Sequence, residues 1–123
     1  MPPEKRIIAF SSDLLLMQEF DRLRAEYGVE ISMFSNQEEI LAAIEKDTDG
    51  ETLLLIEVSG AGRAGIALAE AAKERFATLQ IIAFSKIIAP DTVRRAKNAG
   101  IQHIVTQEQL LSMLPQIVRH LQK

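Results

Sequence analysis

The sequence predicts an α/β domain in which five parallel β-strands alternate with five α-helices. Five short apolar runs divide the chain, and segments with helical periodicity lie between them. Three of the runs are almost continuous stretches of Ile, Leu and Val, which is typical of strands covered on both faces. Regular alternation of strand and helix predicts a parallel sheet between two layers of helices. The runs are Ile7–Phe10, Val29–Phe34, Thr52–Val58, Ile81–Phe84 and Ile101–Val105.

Each intervening segment carries local signals for a helix. The first helix has apolar residues at helical spacing and ends at Gly28, a residue type that favours helix C-termini. Asn36 predicts the N-cap of the second helix, and Pro90 predicts the first turn of the fourth. Pro115 lies inside the fifth helix, where the missing backbone donor predicts a kink. The third, fourth and fifth helices are predicted over about 64–77, 90–98 and 107–121.

Right-handed crossovers leave few topologies for such a sheet. We expect the flavodoxin-like strand order 2-1-3-4-5. The second strand alternates Val29, Ile31 and Met33 with polar residues, which predicts an edge position. No linker, repeat or low-complexity segment interrupts the pattern, so residues 1–123 are predicted to form a single domain. The residues expected to be deeply buried are Ile7, Ile8, Leu54, Ile56, Ile82 and Val105.

Composition and charge exclude several classes of function. The 123 residues carry 14 Lys and Arg against 17 Asp and Glu, a formal net charge of −3 at pH 7. This balance leaves no excess of basic residues for binding nucleic acid or an anionic membrane. No apolar run approaches the ~20 residues of a membrane-spanning helix. With no cysteine and two histidines, we expect no metal site and no cofactor. We therefore expect a cytoplasmic protein that binds neither nucleic acid nor membrane.

Polar segments follow the five predicted strands. In an open parallel sheet, ligands bind beyond the carboxyl ends of the strands. Because these ends meet at one edge of the sheet, the candidate functional residues are expected there. The segments are Ser11-Ser12-Asp13, Ser35-Asn36, Glu57-Val58-Ser59-Gly60, Ser85-Lys86 and Thr106-Gln107-Glu108.

These strand ends resemble those of the receiver domains of bacterial two-component response regulators, and the resemblance covers essentially the whole chain. In that family the first strand ends in an acidic pair that holds Mg²⁺, the third in a phosphorylated Asp, the fourth in Ser or Thr, and the fifth in Lys-Pro. Glu57 occupies the phosphoacceptor position of this sequence. Gly65, eight residues later, matches the glycine that usually opens the third helix, and Ser85 matches the hydroxyl residue.

The other positions that carry the chemistry of the family are altered. Ser11 and Ser12 stand where the acidic pair belongs, and neutral hydroxyls are poor ligands for Mg²⁺. Asp13 matches only an optional third acidic position. Gln107 replaces the Lys, which removes the ammonium that pairs with a transferred phosphoryl oxygen. Glu57 carries its carboxylate one methylene farther out, away from the in-line geometry.

We therefore expect a receiver-like signalling module that acts by protein–protein interaction, is not an enzyme and is not phosphorylated in the usual way. Two alternatives remain open. One is a phosphorylatable response regulator that uses Glu57 or Ser85. The other is a small nucleotide-binding protein, because the GAGRAG sequence at 60–65 fits GxGxxG. The latter lacks the acidic residue that a dinucleotide site needs at the next strand end, where Ser85-Lys86 stands.

Glu57, Lys86 and Ile104 bear on how the degenerate site behaves. Glu57 is either a mimic of the phosphorylated state or a solvated carboxylate. Lys86 either pairs with Glu57 or points into water. Active receivers couple the hydroxyl of the fourth strand to an aromatic side chain on the fifth, and Ile104 occupies that switch position here. The resemblance therefore implies one resting conformation of the loop between the fourth strand and the fourth helix.

The predicted interaction surface is the face formed by the fourth helix, fifth strand and fifth helix, through which the family commonly pairs. It combines basic residues with a fifth helix whose apolar residues span more than one stripe. A protein partner or a second copy of the chain is expected to bind there. Leu14 and Leu15, at the mouth of the site, either form a second docking patch or cover the start of the first helix. The residues of the predicted surface are Arg94, Arg95, Lys97, Leu111 and Val118.

Overall fold

The computed structural model describes residues 5–45, 51–58, 64–76, 79–101 and 103–121. Strands and helices alternate, as the sequence predicts, and none of the helices in these ranges has the length and apolar content needed to span a bilayer. The strands are β1 (Lys5–Phe10), β2 (Glu30–Phe34), β3 (Glu51–Glu57), β4 (Gln80–Ser85) and β5 (His103–Thr106). The helices are α1 (Leu14–Tyr27), α2 (Gln37–Glu45), α3 (Ala64–Arg75), α4 (Pro90–Asn98) and α5 (Gln107–Leu121).

The five strands form one sheet in the order β2-β1-β3-β4-β5, and all neighbouring pairs are parallel. The register sets Ile7 opposite Ile31 on β2 and Leu53 on β3, so apolar side chains of adjacent strands lie side by side. The predicted flavodoxin-like fold class is confirmed. β2 lies at an edge, as its alternating pattern predicts.

Successive side chains of a strand point to opposite faces of the sheet, and helices cover each face. On one face, Ile8, Leu54 and Ile56 pack with residues of α2, α3 and α4. On the other face, Ile7 and Leu55 pack with residues of α1 and α5. All five side chains are fully buried, which accounts for apolar runs without polar alternation in β1 and β3.

The predicted core is confirmed on β1, β3 and β4. Val105 on β5 is only half-buried, and the expectation of deep burial there is wrong. β5 pairs with β4 alone, and the sheet has no strand on its other side in the described part of the chain. Because β5 has a neighbouring strand on one side only, it is partly covered, and none of its four residues is buried.

Local capping interactions fix the ends of α1 and α2. Gly28 follows α1 with a φ of 68°, in the left-handed region, and its N–H donates to the carbonyl of Arg24 at 2.9 Å. Asn36 Oδ1 accepts hydrogen bonds from the N–H groups of Glu38 and Glu39 at the start of α2. Both ends agree with the sequence prediction, because capping depends on residues that are close along the chain.

The later helices follow the prediction with one difference. α4 begins at Pro90, and α5 spans the predicted range as one helix that includes Pro115. α3 ends at Arg75, earlier than predicted, because Phe76 leaves the helix and its carbonyl accepts the N–H of Leu79.

α3 approaches the end of β3 so closely that only glycine fits at Gly65. A Cβ at that position would lie 2.3 Å from the backbone oxygen of Glu57 and 3.1 Å from side-chain atoms of Ile56 and Val58. The first of these contacts is with backbone, so no side-chain rotation relieves it. The approach sets where α3 begins relative to the candidate site.

We expect Gly65→Ala to lower the free energy of unfolding by about 1–3 kcal/mol, because the added methyl group forces α3 away from β3. Urea denaturation measures the change. The matched control is Ala67→Gly, at an exposed position of the same helix, which should cost about 1 kcal/mol through helix propensity alone. An unchanged or raised stability of Gly65→Ala would contradict the close approach.

Candidate functional site

The carboxyl ends of the strands and the start of α5 bring the predicted site residues to one edge of the sheet. The register sets Glu57 opposite Phe84, and Ser85 opposite Thr106, the last residue before α5. The predicted residues at this edge are Ser11, Ser12, Asp13, Glu57, Ser85, Lys86 and Gln107.

Ser11 donates its hydroxyl hydrogen to the Glu57 carboxylate. The distance from Ser11 Oγ to Glu57 Oε1 is 2.8 Å, and the same Oγ accepts the N–H of Asp13 at 3.1 Å. The backbone N–H of Ser11 donates to the carbonyl of Phe34 on β2, and the residue is buried. Ser11 is therefore a fixed link between β1, β2 and β3, and Glu57 is half-buried and held by it rather than freely solvated.

Asp13 is the N-cap of α1, a role that the resemblance to receivers does not suggest. Its Oδ1 accepts the N–H of Leu16 at 3.0 Å, and its Oδ2 lies 3.6 Å from Lys86 Nζ. The hydrogen bond from Leu16 is the main cause that lowers the pKa of Asp13. Burial acts in the opposite direction, and a hydrogen bond from the Gln107 side chain and the charge of Lys86 lower the pKa further.

The ammonium of Lys86 pairs with Asp13. The interpretation that it pairs with Glu57 is not what the structure shows, whereas the largely exposed side chain agrees with the interpretation that it points into water. The Lys86 side chain is 71% exposed, so the ion pair is hydrated and weakens with added salt. No local pattern predicts this contact, because the two residues are far apart in the sequence.

Ser85 and Gln107 are both buried and bring no charge to the site. Ser85 Oγ donates to the carbonyl of Ile87 at 2.8 Å, so its hydroxyl is directed to the loop of residues 86–89, here called the β4–α4 loop. Gln107 is the first residue of α5, and its Oε1 has no hydrogen-bond donor among the described residues. No local sequence pattern predicts that the Gln107 side chain lowers the pKa of Asp13, because the two residues are far apart along the chain.

Ile104, the predicted switch position, is half-buried on β5. It lies opposite Ala83 on β4 and packs against the core between the sheet and α2, α3 and α4. Most of the glycine-rich sequence, residues 60–63, lies outside the described residues, as does Ser59. Of that motif, Ala64 and Gly65 are described, and both belong to α3.

A shallow pocket of about 230 Å³ opens at the same edge of the sheet. Three serine hydroxyls and the Glu57 carboxylate give it a polar wall, and Ser12 and Ser35 are exposed at its mouth. The residues that line it are Phe10, Ser11, Ser12, Ser35, Glu57, Ala64 and Gly65.

The basic residues of the predicted interaction surface are exposed on α4. Arg94 pairs with Asp91, and Arg95 Nη2 lies 3.0 Å from the same carboxylate. Lys97 is exposed on the next turn. The surface charge of α4 is therefore partly neutralised within the helix.

The apolar residues of α5 correct the predicted surface. Leu110, Leu114 and Val118 are fully buried, because residues four apart lie on the same side of a helix and these three face the sheet. The assignment of Val118 to an interaction surface is therefore wrong. Leu111 is half-buried beside this stripe, where it packs against the same core.

Four large apolar side chains are exposed in the described part of the chain, and none of them lies on α5. Leu14 and Leu15, at the start of α1, are 70% and 63% exposed, so they do not serve as cover for that helix end. Met17 follows on the same helix, and Ile87 in the β4–α4 loop is 82% exposed. The sequence pattern indicates Leu14 and Leu15 but not Ile87, whose exposure depends on the course of the loop.

Comparison with solved structures shows the receiver-domain fold. A CheY-like response regulator receiver domain protein from Methanospirillum hungatei has a TM-score of 0.71 and 18% identity, with 98% of this chain and 97% of that chain covered. A Vibrio cholerae chemotaxis protein has a TM-score of 0.73 and 17% identity over 93% of this chain and 98% of its own.

The RcsB response regulator of Salmonella typhimurium, described for its DNA interaction, matches with a TM-score of 0.68 and 21% identity. The match covers 99% of this chain and 61% of RcsB. No protein-family model matches the sequence, and no curated protein matches it. The predicted resemblance is thus confirmed at the level of the fold.

The residues present do not fit the Mg²⁺ that receiver domains use. Mg²⁺ requires near-octahedral oxygen ligands and usually one or two carboxylates. The Ser11 hydroxyl is already bonded to Glu57, and Asp13 is engaged by Leu16 and Lys86. Within the ranges that the structure describes, no three or more His, Cys, Asp or Glu side chains are grouped to bind a metal ion.

We expect Asp13 to make the free energy of unfolding depend on pH in the acidic range. Its pKa in the folded protein is below the ordinary value of 3.8, so its contribution is present above that value and is lost as the pH falls through the folded pKa. Urea denaturation from about pH 7 to about pH 2 should show Asp13→Asn losing less stability on acidification than the wild type. Glu38→Gln, at an exposed position, controls for removal of a carboxylate. Parallel pH profiles of Asp13→Asn and the wild type would contradict the prediction.

Proposed function

We propose that this protein is a receiver-fold signalling module that acts by protein–protein contact and does not accept a phosphoryl group in the usual way. The hydrogen bond from Ser11 Oγ to Glu57 Oε1 carries the proposal. Where an active receiver has an acid that holds a cation, this chain has a neutral donor that binds the acceptor carboxylate. The receiver fold supports the signalling role, because it is shared over nearly the whole chain.

Charge at the site supports the same conclusion. Phosphoryl transfer needs positive charge beside the oxygens of the transferred group. Gln107 is neutral, and Lys86 is paired with Asp13 rather than with the acceptor position. Neither residue supplies the stabilisation that a metal ion and a lysine supply together.

The phosphorylatable alternative has less support. Ser85 is 2% exposed and its hydroxyl donates to Ile87, so it is neither accessible nor beside a base. Glu57 is half-buried and bonded to Ser11. The only support for nucleotide binding is the GAGRAG sequence at 60–65. Titration with nucleotides tests this alternative directly.

The face of α4, β5 and α5 remains the proposed partner surface, with Val118 removed from it. Arg94, Arg95 and Lys97 give it a basic side, and Leu111 gives it an apolar one. Apolar contact supplies most of the affinity at such interfaces, while charged residues set orientation against acidic groups of the partner. With a net charge of −3, we propose a protein partner or a second copy of the chain, rather than nucleic acid or membrane.

We expect incubation with acetyl phosphate and Mg²⁺ to leave the intact mass unchanged. An active receiver treated in parallel should gain ~80 Da, the mass of one phosphoryl group. The reason is the loss of the cation-binding acids and of the lysine at one site.

A variant that restores the family residues sharpens this test. It combines Ser11→Asp, Ser12→Asp, Glu57→Asp and Gln107→Lys, and we expect it to gain the ~80 Da that the wild type does not. Thermal unfolding checks that it is folded. A stoichiometric mass gain of the wild type, mapped to Glu57 or Ser85, would overturn the proposal.

We expect Leu111→Glu to weaken self-association or partner binding by about 2 kcal/mol, the scale of an interface hot spot. Sedimentation equilibrium measures self-association, and urea denaturation records the stability that a half-buried leucine also contributes. Ser112→Glu, at an exposed position of the same helix, is the matched control. A monomer at all concentrations, combined with an effect of Leu111→Glu on stability alone, would reject this surface. Loss of association in Leu15→Glu instead would locate the contact at the start of α1.

A further inference from the structure

We propose that Asp13 and Lys86 form a latch that holds the β4–α4 loop in one position without a phosphoryl group. The Asp13 carboxylate contacts two separate elements of the site. It accepts the N–H of Leu16 in α1 at 3.0 Å and lies 3.6 Å from Lys86 Nζ in the loop. Only 13% of the Asp13 side chain is exposed, so its position is fixed by its surroundings.

The β4–α4 loop has few other attachments. The hydrogen bond from Ser85 Oγ to the Ile87 carbonyl stays within the loop and the strand that leads into it. The Ala89 carbonyl accepts the N–H of Val93 in the helix that follows. Over the described ranges, the Lys86–Asp13 ion pair is the one polar contact that joins residues 86–89 to a distant part of the fold. Apart from the half-buried side chain of Ile88, this pair is what attaches the loop to the rest of the fold.

The neutral side chain of Gln107 allows the latch to form. A lysine at this position would place a second ammonium beside Asp13 and compete with Lys86 for the same carboxylate. Gln107 is neutral and does not compete, so Lys86 remains the cation of the pair with Asp13. Gln107 lacks the positive charge that phosphoryl transfer needs, and the same lack of charge leaves Asp13 to Lys86.

The latch should respond to ionic strength. Lys86 is largely exposed, and a pair with one exposed partner weakens as salt screens it. This inference rests on the proposed function in one respect, because it names what sets the loop when no phosphoryl group does. The test of the latch uses no phosphodonor. Its outcome therefore does not depend on whether the protein gains mass with acetyl phosphate, and either proposal can be rejected without the other.

NMR relaxation dispersion of the full chain at low salt tests the latch, read at the amides of residues 86–89. In Lys86→Met we expect the population of the open loop to rise about two- to fivefold, the range for one partly exposed ion pair. Asp13→Asn should give the same rise, because asparagine keeps the cap of α1 but not the charge. The double variant should match either single one. Gln107→Lys should also release the loop, by competing for Asp13.

The control is Arg75→Met, which removes a positive charge from an exposed position at the end of α3, outside the proposed partner surface, and should leave the loop unchanged. About 1 M salt should open the loop in the wild type and have no effect in Lys86→Met, a difference that a purely structural role of Lys86 would not produce. Equal exchange at residues 86–89 in Lys86→Met and the wild type would overturn the proposal. The same holds for an equal effect of salt on both proteins.

Discussion

Burial of both faces of a parallel sheet is the constraint on which the rest of the structure depends. β1 and β3 are covered on each side by helices, and their central residues have no contact with solvent. Each crossover helix returns the chain to the same end of the sheet, so the carboxyl ends of the strands meet at one edge. Residues that are far apart in sequence, such as Ser11 and Glu57, are thereby within hydrogen-bonding distance.

The edge of the sheet shows how a small change of side chains alters the electrostatics of a site. A carboxylate at the end of β1 would repel Glu57 unless a cation stood between them. The hydroxyl of Ser11 donates to Glu57 and removes that need. Asp13, two residues after Ser11, is paired with the cation Lys86 and accepts the N–H of Leu16 in α1. The two anions of the site are stabilised separately, each by groups of the chain itself.

The sequence predicted those features that depend on local patterns. Strand order and the buried positions of β1, β3 and β4 follow from the apolar runs, and the ends at Gly28 and Asn36 follow from residues within one turn. Capping and periodicity act over a few residues, so one sequence is enough to read them.

Other features depend on tertiary packing and were missed. Val105 is less buried than expected because β5 has one neighbour, and Val118 faces the sheet because the rotation of α5 is set by its packing. The partner of Lys86 could not be read from sequence, since Asp13 reaches it only through the fold. Ile87 follows a buried strand, and its exposure depends on how the loop leaves the sheet.

The close packing at Gly65 has a consequence for how sequences with this fold are interpreted. Its side-chain hydrogen faces the backbone oxygen of Glu57, and any larger group would displace α3. The requirement is steric and would persist whether the third strand ends in an active aspartate or an inert residue. A glycine at this distance from the strand end is therefore a marker of architecture. It carries no information about catalytic competence, which has to be judged from the charged positions around it.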